Sequence, residues 1–339
     1  MITKPNIRDV AQHSGVSIAT VSHVINNTRK VSSVTKRRVE ESIQKLGYVP
    51  NSMARGFKTG MNRMIGCIIP DISNYFWAVI IEKIEDYLTS RKYQLIIINT
   101  KETAEKEIDA IKVLSSGMVA GLIIGSTLSN ANDIDAILPK DFPVVFIDRL
   151  PENCTRDNVT ISNYNSVFNA VNYLIQLGHE KIGYIAGLIR LSTTEERLKA
   201  YNDAMAAHGL TVCKDYIQVG DSMYMSAIVP LNRLLKLGCD ALVVSNNVMA
   251  SDVMRQLYRD RNPDLAKLDI IGYQEGVRDV SLIQPAGLIS QPSEHMGQWA
   301  AQQILARIQH PQSPIKTTVL SSTLTLFENS GERSDQRIL

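Results

Sequence analysis

The sequence predicts two parts: an N-terminal all-α helix-turn-helix head, and an α/β body of two doubly wound parallel-sheet lobes. Three observations carry this. Apolar residues recur at spacings of three and four through the first fifty residues, short apolar runs alternate with helical stretches from Met64 onward, and charge divides between the two regions. Eleven Lys and Arg precede Met64 against three acids, whereas 25 basic and 31 acidic residues follow it. A basic segment on an acidic body suits a polyanion-binding head, because neutralising phosphates releases counterions and supplies most nonspecific affinity. A chain of 339 residues also exceeds one small core and suits two or three domains.

Ile7, Val10 and Ala11 mark the first helix, with Asn6 as its cap. Gly15 stands where a tight turn between helices needs positive φ. The stretch 17–26, SIATVSHVIN, is the helix the chain is organised around: Val21, Val24 and Ile25 face a core and leave Ile18, Ala19, Ser22 and His23 outward. A small residue at Ala11, a turn glycine and a buried branched residue at Val21 have the spacing of a helix-turn-helix. Ile18 and Ala19 offer apolar contact to a thymine methyl, Ser22 and His23 hydrogen bonds to base edges, and Ser17 and Thr20 hydroxyls to phosphates. A third helix starts at Ser32 or Ser33, carries Val39, Ile43 and Leu46, and stops at Gly47 with Pro50 beyond. The head is residues 1–49.

Residues 50–61 form a candidate hinge helix, capped by Asn51, interrupted by Gly56 and too short to be stable alone. IRDVAQHSGVS, TVSHVIN, LGYVPN and the pair Ala54-Arg55, in this order and spacing, resemble the LacI/GalR family of bacterial repressors. The resemblance continues through IIPDISN, VVFIDR, LGHEKIGYIAG, ERLKAY and IIGY, and so covers nearly the whole chain. It implies a periplasmic-binding-protein-like body that binds a small-molecule effector, and a homodimer on near-palindromic double-stranded operator DNA. It also implies that the hinge folds on the operator and drives an apolar wedge into the minor groove. Phe57 stands where the family usually has leucine, flanked by Ala54 and Lys58, and Asn26 joins the DNA-contacting residues of the second helix.

Apolar runs at 65–69, 95–98, 121–125, 144–147, 182–185, 241–244 and 269–271, with helical patterns such as 78–91 and 104–115 between them, predict parallel sheets covered on both faces. The body is assigned to 62–328: lobe 1 from 64–161 and 292–325, lobe 2 from 162–291. The polar residues 329–339 are expected to be disordered and carry no leucine heptad for a coiled-coil tail.

In open parallel sheets ligands sit beyond the carboxyl ends of strands, and two lobes face those ends across a cleft. Phe76 and Trp77 are candidates for stacking on a sugar face or a base, and Arg149 and Arg197 for forked hydrogen bonds. Ser162, Thr193, Asn246 and Gln274 complete the expected lining. Most members of the resembled family carry aspartate where this chain has Ser162, Asn247 and Gln274. Three missing carboxylates beside two arginines predict an electropositive cleft, which weights a sugar acid or sugar phosphate above a neutral sugar, with a purine second.

The chain shows no glycine-rich phosphate loop, nucleophile elbow or paired metal ligands, so neither catalysis nor a cofactor or metal is expected. His179, His208 and His295 lack partners evident in the sequence, and the resemblance implies a structural turn at His179. Cys67, Cys154, Cys213 and Cys239 have no metal-ligand spacing and read as small core residues in a reducing cytoplasm. No apolar signal-peptide core opens the chain and no run is long enough for a membrane span, which again implies a cytoplasmic protein without a membrane partner. The expected function is a ligand-responsive repressor of a carbohydrate or sugar-acid operon. A small-molecule-binding protein without DNA function leaves the basic head unexplained.

Overall fold

The computed structural model describes residues 5–26, 28–49, 62–260, 268–275 and 285–327, in two compact units, Met1–Asn62 and Arg63–Leu339. The hinge at 50–61, with Ala54, Phe57 and Lys58, and the tail at 329–339 lie outside the described residues.

In the first unit, Asn6 caps α1 (Ile7–Ser14) reciprocally: its side chain accepts from the N–H of Arg8 and Asp9, and the Asp9 carboxylate accepts from Asn6 N–H at 2.8 Å. Gly15 follows with φ 66°, and a Cβ there would meet Arg38 Nη2 at 2.8 Å, the atom that donates to Ser14 O at 2.6 Å. The left-handed backbone favours glycine at this turn, whereas the crowding falls only on the tip of a flexible side chain. The helices α2 (Ile18–Asn26) and α3 (Ser33–Leu46) close on α1 around Val10, Ala11, Val21 and Val39. Val24 and Ile25 pack at the edge of that core.

The second unit contains two six-stranded sheets. The first has the order β11 (Thr317–Ser321), β5 (Asp157–Ser162), β4 (Val144–Asp148), β3 (Gly121–Ile124), β1 (Met64–Ile69), β2 (Gln94–Asn99), every neighbour parallel. One face packs α4 (Tyr75–Thr89) and α11 (Ser293–Gln309) through Ile80, Ile84, Ala300 and Ile304; the other packs α5 (Ala104–Ser115) through Ile111 and Leu114. The second sheet runs β12 (Thr323–Leu326), β10 (Gly287–Ser290), β9 (Asp269–Gln274), β8 (Ala241–Val244), β6 (Ile182–Ala186), β7 (Ile217–Val219). The helices α7 (Tyr164–Gln176) and α8 (Ser192–Ala207) cover one face, α9 (Ile228–Lys236) and α10 (Asn247–Asp260) the other.

Three differences from the sequence reading have physical causes. The segment assigned to lobe 1 ends too late: after Ser322 the chain crosses a third time, and Thr323–Leu326 pairs antiparallel with β10 of the second sheet. Ser162, assigned to lobe 2, is the last residue of β5 in the first sheet, opposite Ser321. The strands β5, β7, β10, β11 and β12 escape an apolar-run criterion because they are short or polar, and β11 and β12 are edges with more than half of their residues exposed.

His179 gains the partners its sequence context lacks. Its Nε2 lies 2.8 Å from Asp269 Oδ2 and its Nδ1 3.3 Å from Asp240 Oδ1, which ties the turn before β6 to the starts of β8 and β9. Cys67 and Cys239 are buried as expected, but Cys154 is half-buried and Cys213 exposed. Among the described residues, no helix is long and apolar enough to cross a membrane.

Candidate functional site

Two places gather the side chains picked out from the sequence. The first is the outward side of α2. Ile18 is 43% exposed and Ser17 and Ala19 are exposed beside it, whereas Thr20, Ser22, His23 and Asn26 are half-buried. Ser17 is also this helix's cap: its Oγ accepts from Thr20 N–H at 3.1 Å and lies 2.9 Å from Thr20 Oγ1. Asn26 Nδ2 donates to Ser22 O at 2.8 Å, which braces one turn of the helix. His23 Nδ1 lies 2.8 Å from Thr28 Oγ1, so the ring is oriented from within the head while its Nε2 has no partner among the described residues.

The second place is a cleft between the two sheets of the body. Its floor on the first lobe is Phe76 and Trp77, both buried and packed edge-on at 5.3 Å and 73°. Trp77 presses against the end of β3 so closely that a Cβ on Gly125 would lie 2.2 Å from its ring. A buried indole held this tightly is a wall, not a movable lid. Gly125→Ala is therefore expected to destabilise the body by about 1–3 kcal/mol by overpacking. Urea unfolding checks it, and an unchanged midpoint would show that the ring gives way freely.

Asp148, the last residue of β4, has φ 62°, a left-handed conformation that turns the chain sharply and delivers Arg149 to the cleft. Arg149 is not free there. Glu102, 47 residues earlier, accepts from its Nη1 at 2.8 Å and its Nη2 at 2.6 Å, and Asp148 stands 3.8 Å from its Nε. Burial works against the guanidinium's charge, but the hydrogen bond and charge of Glu102, then Asp148 and Glu107, outweigh it and hold the pKa above the ordinary value. Burial likewise raises the carboxyls of Asp148 and Glu107.

On the second lobe, Arg197 donates from Nε to Asn163 Oδ1 at 2.8 Å and from Nη1 to Ser245 O at 2.5 Å, with its guanidinium carbon 4.1 Å from the centre of the Tyr273 ring. Thr193, Thr194, Asn246 and Asn247 line the cleft beside it. The lobes touch directly: Asn247 Nδ2 donates to Asn74 Oδ1 at 2.8 Å with a weaker return bond at 3.4 Å, Ser192 Oγ accepts from Leu150 N–H at 3.1 Å, and Arg190 Nη2 donates to Glu102 O at 3.3 Å. The cavity left between them is about 40 Å³, room for a few ordered waters.

Of the residues expected in the cleft, Phe76, Trp77, Arg149, Thr193, Arg197 and Asn246 line it. Ser162 and Gln274 do not; they are the closing residues of β5 and β9, paired opposite Ser321 and Ser290. Of the two arginines expected to make the cleft electropositive, Arg149 is paired within the chain by Glu102 with Asp148 beside it, whereas Arg197 has the neutral partners Asn163 and Ser245. Asp148 and Ser222 line the cleft without having been picked out, and Asn74 lies in the stretch 71–77 after the first strand, where the sequence places candidates for the cleft. Asn74 had a signal, since it caps α4 by accepting from Phe76 N–H at 3.1 Å; Ser222 and Glu102 lie on loops without periodic pattern. Among the described residues no cluster of three His, Cys, Asp or Glu is placed to hold a metal.

Comparison with known proteins matches both units. Residues 6–51 match the model of bacterial regulatory proteins of the lacI family, and residues 62–329 that of periplasmic binding proteins and the sugar-binding domain of the LacI family. The HTH-type transcriptional repressor PurR of Photobacterium profundum is 32% identical over 307 residues, covering 89% of this chain and 91% of its own. Among solved structures, a complex of the transcriptional regulator CelR with cellobiose is 25% identical with a TM-score of 0.68, covering 95% of this chain and 98% of its own. The lac repressor dimer bound to operator and the anti-inducer ONPF shares the fold at a TM-score of 0.79 and 23% identity, with the same coverage. A helix-turn-helix head on a two-lobed, periplasmic-binding-protein-like body, matched along nearly its whole length, makes this chain a member of the LacI family of DNA-binding transcriptional regulators.

Proposed function

We propose that the protein is a repressor that binds a near-palindromic operator as a homodimer and responds to a neutral carbohydrate held between the lobes of its body. The observation that carries the ligand class is the charge balance of the cleft: Glu102 and Asp148 pair with Arg149, while the amides of Asn74, Asn246 and Asn247 and the hydroxyls of Thr193 and Ser222 surround it. Amides and hydroxyls over an aromatic floor suit the hydroxyls and the apolar face of a sugar. The solved CelR relative is a complex with cellobiose, which agrees with this reading. The kinship with PurR supports a second one, a purine that co-represses.

Thermal-shift measurements with neutral mono- and disaccharides, sugar acids, sugar phosphates and purines decide between them, since a ligand of the folded cleft raises stability by mass action. A shift with a neutral sugar supports the first reading. Stabilisation by purines alone replaces it with the second.

On the DNA side, Ile18, Ala19, Ser22 and His23 are assigned to base edges, Ser17, Thr20 and Asn26 to the surrounding backbone, and Ala54, Phe57 and Lys58 to the minor groove. One head buries too little surface to bind tightly, so two heads on related half-sites are needed. Phe57→Ala is expected to weaken specific binding about tenfold or more with little effect on random duplex, because unstacking a base step matters only where the DNA bends. Fluorescence anisotropy on both duplexes checks this, and equal losses would remove the wedge.

A further inference from the structure

Glu102 holds an unusual place. It follows β2 on a loop where both Lys101 and Glu102 have positive φ, 53° and 56°, although neither is glycine. The loop is pinned by its backbone: Glu102 N–H donates to Pro70 O at 3.2 Å and Thr103 N–H to Thr100 O at 3.2 Å. That backbone sets the carboxylate squarely on the guanidinium of Arg149, one oxygen on each terminal nitrogen at 2.6 and 2.8 Å, with only 12% and 10% of the two side chains exposed. This two-point fork is the geometry with which arginine grips the carboxylate or phosphate of a ligand. Here the protein itself fills it.

Asp148 stands 3.8 Å from the third nitrogen, so the guanidinium faces two carboxylates of its own chain. An incoming anion meets no spare positive charge at Arg149 and is repelled by both acids, whereas a hydroxyl avoids that repulsion. The carbonyl of Glu102 also accepts from Arg190, so the residue that satisfies the arginine touches the opposite lobe as well.

We propose that Glu102 determines the charge class of the cleft's ligand: it is a built-in counter-ion that occupies the fork of Arg149, excludes carboxylate- and phosphate-bearing molecules, and leaves the cleft to uncharged polyols. The biological meaning rests on the proposed effector site, but the exclusion itself can be read with inorganic phosphate whether or not any sugar binds.

Full-length wild type and Glu102→Gln are melted in rising phosphate at constant ionic strength, chloride replacing it in the control. The amide keeps the shape of the carboxylate and removes its charge. Phosphate held by the basic head is common to both proteins and cancels in the comparison. The expected result is saturable stabilisation of Glu102→Gln with phosphate at least about tenfold more effective than on wild type, abolished when Arg149→Gln is added. A purely structural salt bridge would lower stability in both buffers equally and leave the phosphate response unmoved, which would overturn the proposal. If Glu102→Gln does not fold, Glu102→Ala, which removes the carboxylate altogether, takes its place with the same expectation. Saturable phosphate binding to wild type that Arg149→Gln removes would also overturn it. The sugar screen can fail while this result stands, and the reverse, so the two readings fall separately.

Discussion

Glu275→Gln stabilises the body at alkaline pH and flattens the decline of its stability from pH 4.5 to 8. Glu275 is only 4% exposed, just beyond β9 at the crossover between lobes, and accepts from Ser293 Oγ at 3.1 Å; its Oε1 has no partner among the described residues. Burial pushes its carboxyl from the ordinary 4.5 up to about 8, with the charge of Asp148 adding to the rise and the hydrogen bonds of Ser293 and Gln291 and the charge of Arg197 opposing it. The folded pKa is the higher one, so the sign follows. Below pH 4.5 both states are protonated and stability is at its full value. Between 4.5 and 8 the unfolded chain releases a proton that the folded chain retains, and stability falls by about 1.4 kcal/mol per pH unit.

Above pH 8 the loss is complete, on the order of 5 kcal/mol. Glutamine is neutral throughout, accepts the same hydrogen bond from Ser293 and escapes this loss. Asp148 and Glu107 are shifted upward as well, so some slope of the same sign remains in the variant. Chemical unfolding at pH 5, 7 and 9 measures the difference. Parallel pH profiles for the two proteins would show that the Glu275 carboxyl is solvated in solution.

Val21→Asp abolishes duplex binding and leaves the ligand-binding body intact. Val21 is fully buried, and the core it enters consists of Val10, Ala11, Val21 and Val39 with a partly exposed fringe. A unit this small buries too little surface to hold more than a few kcal/mol of stability. An unpaired buried carboxylate costs about 3–5 kcal/mol, enough to unfold it. The expected readouts are at least about hundredfold weaker binding to any duplex and loss of the head's share of helical signal. The melting of the body should stay as in wild type, since the head forms a separate compact unit. Near-normal duplex affinity would mean that the core has a route to hydrate or repack around the charge.

The head was legible because its instructions are local. Asn6, Gly15, Ser32 and Gly47 act on the backbone within a few residues of themselves, and the spacing of Val10, Val21 and Val39 records the faces that meet. The central strands of both sheets were equally readable, since a strand buried on both faces must be apolar throughout, as Ile65–Ile69 and Val144–Ile147 are. An edge strand carries half that requirement, so Thr323–Leu326 left little trace; Asp157–Ser162 is an inner strand but a polar one, and the third crossover at Ser322 went unseen.

The cleft divides along the same line. Residues that follow an apolar strand or cap a helix are placed by their own neighbours, which is why Arg149, Arg197, Thr193 and Asn246 could be picked out in advance. The partner of each charge is a different matter. Glu102 reaches Arg149 across 47 residues, and Asn74 meets Asn247 across 173, because the sheets bring strand ends together irrespective of their distance along the chain. Amino-acid order alone therefore determined the family, the two-part architecture and most of the side chains expected to line the cleft. Only the tertiary structure decided whether those side chains are free, because a charge is neutralised by whatever folding sets within a few ångströms of it, and that proximity is not written in the spacing of residues.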